Sequence, residues 1–173
     1  MSTNKSEEIR SQIVNLVRDF VKRDVEPVAD QYDGGDTYPR ELVDKMAEIG
    51  LFGITIPGQY GGLGLDYTTF AVIFEELSKG WMSITGPIGT HHVMSHIISE
   101  FGTEEQKLRL LPKMARGEIR GGIALTEPDV GSDIQNIQLS ATKDGNEYVL
   151  NGSKDFITNG EYGNAFVVVV KTN

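Results

Sequence analysis

The residues best suited to chemistry stand in one run, Thr126-Glu-Pro-Asp-Val-Gly-Ser-Asp133, directly after the apolar stretch Ile123-Ala-Leu125. The spacing predicts a short strand over Gly121–Thr126 that breaks into a turn with exposed backbone amides. Pro128 fixes one φ angle and removes a donor, while Gly131 tolerates positive φ and lets a ligand approach the main chain closely. Ser132 adds a hydroxyl beside the amides of Gly131 and Asp133, and successive amides of this kind form a nest for anions such as a pyrophosphate. A second run, Lys154-Asp-Phe-Ile-Thr-Asn-Gly160, reads as extended chain, with Phe156 and Thr158 alternating onto one strand face. An aromatic surface and a hydroxyl donor would then lie together. The two runs could jointly hold a flat aromatic heterocycle carrying an anionic tail. Taken singly, each also reads as ordinary structure: a strand end with a polar turn, and a core Phe beside a strand Thr.

Other reactive-looking groups support less. His92 and His96 are four apart, the spacing of paired zinc ligands, with His91 adjacent. No third ligand is placed nearby and no Glu completes a His-Glu-x-x-His pattern, so no metal site is assigned; these histidines read as pocket-lining or plain structural residues. Glu75-Glu76 looks like a carboxylate pair but reads as solvated or capping structure. Glu127, followed by Pro128, reads as fixing the turn. Gly58 to Gly64 lacks the Gly-Lys-Ser/Thr of a phosphate loop and reads as a shaped connection.

The 173 residues are enough for a substantial core, and 39% hydrophobic with 24% charged residues is ordinary for a soluble globular protein. The net charge of −9 argues against nucleic acid, which needs clustered Lys and Arg. No apolar run approaches the roughly 20 residues of a membrane span. The polar, acidic start Met1-Ser-Thr-Asn-Lys-Ser-Glu-Glu8 matches neither a secretory signal nor a transit peptide. The absence of cysteine removes disulfides and thiolate metal sites, and is compatible with a cytoplasmic protein.

The elements that must position these runs follow from periodicity. Residues 7–32 read as one long helix with Ile9, Ile13, Leu16, Val17, Phe20, Val21 and Val25 on its apolar face, and Pro27 as a possible kink. A second helix starts at Tyr38-Pro-Arg-Glu41 and ends at Gly50. A Gly-rich loop covers 51–65. Asp66 caps a third helix with Phe70, Ile73, Phe74 and Leu77 inward. A fourth runs from about Ser83 or Pro87 to Glu100, and Thr103-Glu-Glu-Gln106 is a capping box opening a fifth with Leu108, Leu111, Met114 and Ala115. After Gly117 the period falls to two. Residues 138–143 and 147–150 flank a hairpin turn at Asp144-Gly-Asn146, and Ala165 to Lys171 reads as a buried strand. An unpaired sheet edge remains, which needs a partner.

Four segments now stand in order: Leu51-Phe-Gly-Ile-Thr-Ile-Pro-Gly-Gln-Tyr-Gly-Gly-Leu-Gly64, Phe101-Gly-Thr-Glu-Glu-Gln-Lys107, Thr126 to Asp133, and Phe156 to Asn159 preceded by Asn151-Gly-Ser-Lys154. In type and spacing they resemble the acyl-CoA dehydrogenase family, over roughly residues 7 to 171. The resemblance implies an α+β fold. An N-terminal all-α helical domain (residues 1–116) is followed by an incomplete antiparallel β-barrel domain (residues 117–173, the flavin-binding segments), and the family's C-terminal four-helix domain is absent. It implies FAD as cofactor, with Leu125 and Thr126 at the pyrimidine end, Gly131 and Ser132 at the pyrophosphate, Phe156 against the isoalloxazine and Thr158 donating to N5. Many relatives carry Trp where Phe156 stands; Phe keeps the ring and lacks the indole N–H. Ser132, Ile123 and Thr90 are the implied substrate contacts, the last on an acyl-pocket wall along residues 86–95.

The implied reaction is α,β-dehydrogenation of an acyl-CoA thioester to a trans-2-enoyl-CoA, with an electron-transferring flavoprotein as the usual acceptor. No catalytic residue is assigned here, because the base belongs to the absent C-terminal part. The chain then reads as an N-terminal piece (a truncation, a cleavage product or one chain of a split protein) that does not turn over acyl-CoA alone. A homotetramer is expected at full length. Two alternatives stay open: a non-catalytic binding or scaffold subunit of a heteromer, and an acyl-CoA oxidase or flavin monooxygenase on the same fold.

Overall fold

A computed structural model of the chain describes residues 3–35 and 37–172. The stretch expected as one helix is built in pieces. Helix α1 (Thr3–Phe20) passes into a π turn over Val21–Val25, a 3-10 turn over Glu26–Val28 and the short α2 (Ala29–Asp33). Pro27 supplies the reason: it lacks an amide and its ring crowds the preceding turn, so the α ladder cannot run through it. The rewound turn keeps Val21 and Val25 in the core with Ile13, Val17 and Phe20, while Leu16 is turned to solvent.

Helix α3 (Arg40–Glu48) starts directly after Pro39 and buries Leu42, Val43 and Met46. It stops at Gly50, which takes the left-handed conformation at φ 81° as a helix terminator should. The segment 51–65 contains two 3-10 turns and folds back on itself through Leu63 N–H to Gly53 O (2.8 Å), Gly64 N–H to Ile56 O (2.9 Å) and Leu65 N–H to Ile54 O (2.8 Å). It buries Leu51, Phe52, Ile54 and Ile56. Helix α4 (Tyr67–Gly80) is capped by the Asp66 carboxylate, which accepts from the Thr69 amide. Glu76 is buried rather than solvated. It binds α4 to α1 through Arg18 at 2.8 Å and is also bonded by Lys79 at 3.0 Å. Those two hydrogen bonds hold its carboxyl at about 2, below the ordinary range.

Helix α5 (Thr85–Phe101) runs through the middle of the chain's packing, and α6 (Glu104–Ala115) carries the capping box formed by Thr103 and Gln106. Leu111, Met114 and Ala115 pack inward, but Leu108 is 65% exposed, against expectation. The buried residues of α6 all lie in its C-terminal half, and Leu108 sits one turn ahead of them.

The β part is open. Strands β1 (Gly121–Ala124) and β4 (Ala165–Val168) form one pair, and β2 (Ser140–Asp144), β3 (Glu147–Asn151) and β5 (Lys171–Thr172) form a second sheet in the order β3-β2-β5. The β2–β3 hairpin is antiparallel, turning at Gly145 (φ 59°), whereas β1–β4 and β2–β5 run parallel. This mixed pairing arises because the expected strand 165–171 is split. Its first half follows β1 and its second half crosses to β2, with Lys171 N–H donating to Leu139 O at 2.9 Å. It is half-buried, not buried. Strand β1 lies tightly against both its neighbours. A Cβ on Gly121 would fall 1.6 Å from Ala165 O, and one on Gly122 would fall 2.8 Å from the Thr90 Cβ in α5. Only glycines permit that approach.

Candidate functional site

Strand β1 ends at Ala124, two residues earlier than the sequence suggested. Leu125 and Thr126 leave the ladder because the second run claims their carbonyls. The Lys154 ammonium donates to Leu125 O at 2.8 Å, and the Asp155 amide donates to Thr126 O at 2.9 Å. Glu127 and Val130 then exchange two backbone hydrogen bonds, at 2.9 and 3.2 Å, around Pro128-Asp129. Gly131 does not use the positive φ open to it. Its Cβ position is open, with nothing within 4 Å, and Ser132 beside it is exposed. Among the described residues neither the Gly131 nor the Ser132 amide donates to a backbone carbonyl.

Glu127 is the hub beneath this turn. Its carboxylate accepts from the amides of Gln138 and Leu139 and from the Lys154 ammonium. Burial alone would raise its pKa, but these three donors outweigh burial and hold it at about 2. The structural reading of Glu127 therefore holds, and Lys154 is the residue that links it to the second run.

The second run is not a strand. Phe156 and Asn159 take left-handed backbone, φ 56° and 65°, which is uncommon outside glycine. Phe156 and Thr158 consequently do not alternate on a strand face; the expected extended geometry is corrected to a turn. Asn159 explains it. Its side-chain amide is buried and donates to Gly121 O (2.9 Å), Pro87 O (3.0 Å) and Thr90 Oγ1 (3.4 Å), pinning the turn to β1 and α5. Asn tolerates this conformation better than most residues, and that is the signal by which the sequence could have marked it. Phe156 is 92% exposed.

The two runs nonetheless come together. Asp155 meets Thr126, and the Thr158 carbonyl lies 3.5 Å from where a Gly122 Cβ would be, so residues 154–159 run back alongside β1. Thr158 also faces a cleft of about 520 Å³ shared with Gly86 and Pro87. Ile123 sits half-buried in β1, paired with Val167. Thr90 is occupied internally: its hydroxyl donates toward Gly86 O (3.3 Å) and accepts from Asn159.

Two of the three histidines are buried and structural. His92 donates from Nε2 to Leu51 O (2.8 Å) and accepts at Nδ1 from the Thr55 hydroxyl (2.9 Å), which fixes a neutral tautomer. His91 is fully buried, edge-on to Phe52, with neither nitrogen in hydrogen-bond geometry. Burial pushes both down, His91 to about 3 and His92 to about 4. His96 meets the Tyr67 hydroxyl at 3.0 Å. Among the described residues no group of His, Cys, Asp and Glu could hold a metal ion, and no helix is long and apolar enough to cross a membrane.

The structure is an α+β fold, a helical half clasped onto an open sheet, with two loops laced along one strand and Gly131, Ser132, Phe156 and Thr158 exposed on them. The domain described as acyl-CoA dehydrogenase, N-terminal domain, matches residues 7–118, and that described as acyl-CoA dehydrogenase, middle domain, matches residues 122–173. The chain belongs to the acyl-CoA dehydrogenase family. It is 41% identical over 160 residues to a short-chain-specific acyl-CoA dehydrogenase of Clostridium acetobutylicum, covering 91% of this chain and 42% of that protein. The acyl-CoA dehydrogenase of Geobacillus kaustophilus superposes with a TM-score of 0.86 at 37% identity, covering 95% of this chain and 43% of the other. An acyl-CoA dehydrogenase of Bacillus anthracis complexed with FAD superposes with 0.82 at 34%, covering 95% and 29%. The chain thus spans less than half the length of these relatives.

Proposed function

We propose that this chain forms the helical part (residues 1–116) and the cofactor-facing β part (residues 117–173) of an FAD-dependent acyl-CoA dehydrogenase, and that it contributes no catalytic base. One observation carries the reading. Residues 125–132 and 154–159 are laced along β1 with buried anchors (Glu127, Lys154, Asn159), while Gly131, Ser132, Phe156 and Thr158 are left exposed above them. The residues fit the cofactor. Open backbone at Gly131 and the Ser132 hydroxyl suit an anionic diphosphate, and Phe156 with Thr158 suits a flat ring bearing an acceptor nitrogen. Leu125 and Thr126 take the pyrimidine end. When bound, FAD supplies the two-electron acceptor; this chain's residues bind it, orient it and exclude water. Acyl-CoA is the substrate, with Ser132 and Ile123 toward the thioester arm. Thr90 acts by fixing Asn159. An electron-transferring flavoprotein as acceptor, a homo-oligomer and a cytoplasmic location complete the reading.

The test is titration of the purified chain with FAD, followed by visible absorbance and thermal shift. Saturable binding of one FAD per chain is expected. So is no enoyl-CoA from the chain alone, with product appearing when a polypeptide supplying the rest of a family member is added. Failure to bind FAD in both conditions sinks the reading, and dehydrogenation by the chain alone sinks the claim that it lacks the base.

A further inference from the structure

The cleft beside Thr158 has an aromatic lining that the flavin reading does not use. Tyr32 and Trp81 stack with ring centroids 5.7 Å apart and 19° between planes. Tyr38 and Tyr162 stack 4.1 Å apart at 17°. All four rings line the same space of about 520 Å³, a volume typical of small-molecule pockets. The Trp81 indole N–H is already bonded to Asp33 at 2.9 Å, so the ring's remaining contribution to the cleft is apolar surface. Arg40 stacks over the Tyr162 ring at 5.5 Å. Among the described residues no Lys or Arg lines the cleft, and the charged group that does is the carboxylate of Glu161. Gly86 and Pro87 at the start of α5 also line it, beside Thr158.

Aromatic walls favour a ring that can stack or meet them edge-on. The Glu161 carboxylate on the lining disfavours a second carboxylate, while the nearby Arg40 guanidinium is engaged on the Tyr162 ring. We propose that this cleft receives the aryl end of a ring-bearing acyl thioester and discriminates against acyl groups that end in a carboxylate. The proposal rests on the acyl-CoA reading above and names the substrate class within it.

Trp81 is the chain's single tryptophan and lines the cleft, so its fluorescence reports occupancy directly. The chain, with and without added FAD, is titrated with 3-phenylpropanoyl-CoA, nonanoyl-CoA (equal in acyl carbons), butanoyl-CoA and glutaryl-CoA. The aryl thioester is expected to shift or quench Trp81 emission and to bind about tenfold more tightly than butanoyl-CoA and glutaryl-CoA. It should also bind at least about threefold more tightly than nonanoyl-CoA, which separates ring recognition from apolar area. Tyr162→Leu and Tyr38→Leu, each checked by circular dichroism, should abolish the preference over nonanoyl-CoA and leave FAD binding unchanged. Equal affinity for aryl and nonanoyl thioesters, or tight glutaryl-CoA binding, overturns the proposal. So does a preference that survives both tyrosine variants. Aryl binding without FAD binding would instead overturn the dehydrogenase reading and leave the cleft assignment standing.

Discussion

The Lys154 ammonium lies 2.9 Å from the Glu127 carboxylate, with both side chains almost sealed from solvent at 6% and 4%. The pair joins the two runs proposed to hold the cofactor, because Glu127 also holds the amides of Gln138 and Leu139 while Lys154 also holds Leu125 O. Removing one member of a buried pair leaves the other charged and unpaired, whereas replacing both with neutral groups is often tolerated. Glu127→Gln and Lys154→Met should therefore each lower the thermal midpoint and weaken FAD binding at least about tenfold. The double variant should unfold above either single. A double variant less stable than both singles would show that the charges are not the coupling between the runs.

Asn159 provides an independent handle on the same lacing. Asn159→Ala removes two donated hydrogen bonds from a buried site and puts a residue less tolerant of φ 65° there, so a loss of about 2–4 kcal/mol is expected in denaturant unfolding. Asn159→Gly, free of the backbone penalty, should lose about 1 kcal/mol less. Asn159→Asp should be the worst, since it aims a carboxylate at two carbonyl oxygens. The order Gly, Ala, Asp is the result to check; an Asn159→Gly variant as stable as the wild-type chain would mean the side chain anchors nothing.

Sequence periodicity located all the main helices because each has an apolar stripe and a recognisable end: Asp66, the Thr103/Gln106 box and Gly50 all act as their types suggest. It failed where tertiary contacts override local preference. Pro27 announced a disturbance but not that a π turn would preserve the stripe through Val21 and Val25. Phe156 and Thr158 alternate in sequence as strand residues do, yet the hydrogen bonds of Asn159, to atoms 38 and 72 residues away, impose turns instead. Strand direction was equally hidden, since the parallel partner of β1 lies beyond the intervening hairpin. The proposed site's residues were legible as types; the anchoring roles of Lys154 and Asn159 were not, because Lys154 reaches Leu125 O and Glu127 across 29 and 27 residues and Asn159 holds backbone carbonyls that carry no residue signature.

Phe156 separates function from stability. Its side chain is 92% exposed, so Phe156→Ala should change unfolding free energy by no more than about 0.5 kcal/mol. If the ring lies against the flavin, the same variant should weaken FAD binding about tenfold, the scale of one lost aromatic contact. Unchanged FAD affinity would remove Phe156 from the site while leaving the Gly131–Ser132 half of the reading in place.

The buried histidines give the chain a specific acid sensitivity. In the unfolded chain both carry an ordinary pKa of 6.5, and in the folded chain burial lowers them to about 3 for His91 and about 4 for His92. Between these limits the unfolded state binds more protons, so stability is fully present above pH 6.5 and falls as pH drops through that value. Two protons give a slope approaching about 2.7 kcal/mol per pH unit. Glu76 and Glu127, held at about 2, add further loss only as pH falls below their ordinary 4.5. The interval from pH 6.5 to 5 therefore isolates the histidines. His92→Gln keeps a donor for Leu51 O but cannot titrate, and should halve the slope there, measured by denaturant unfolding at closely spaced pH values. A flat profile in the wild-type chain over that interval would mean that the α5 histidines are protonated in the fold, and that burial does not hold them neutral.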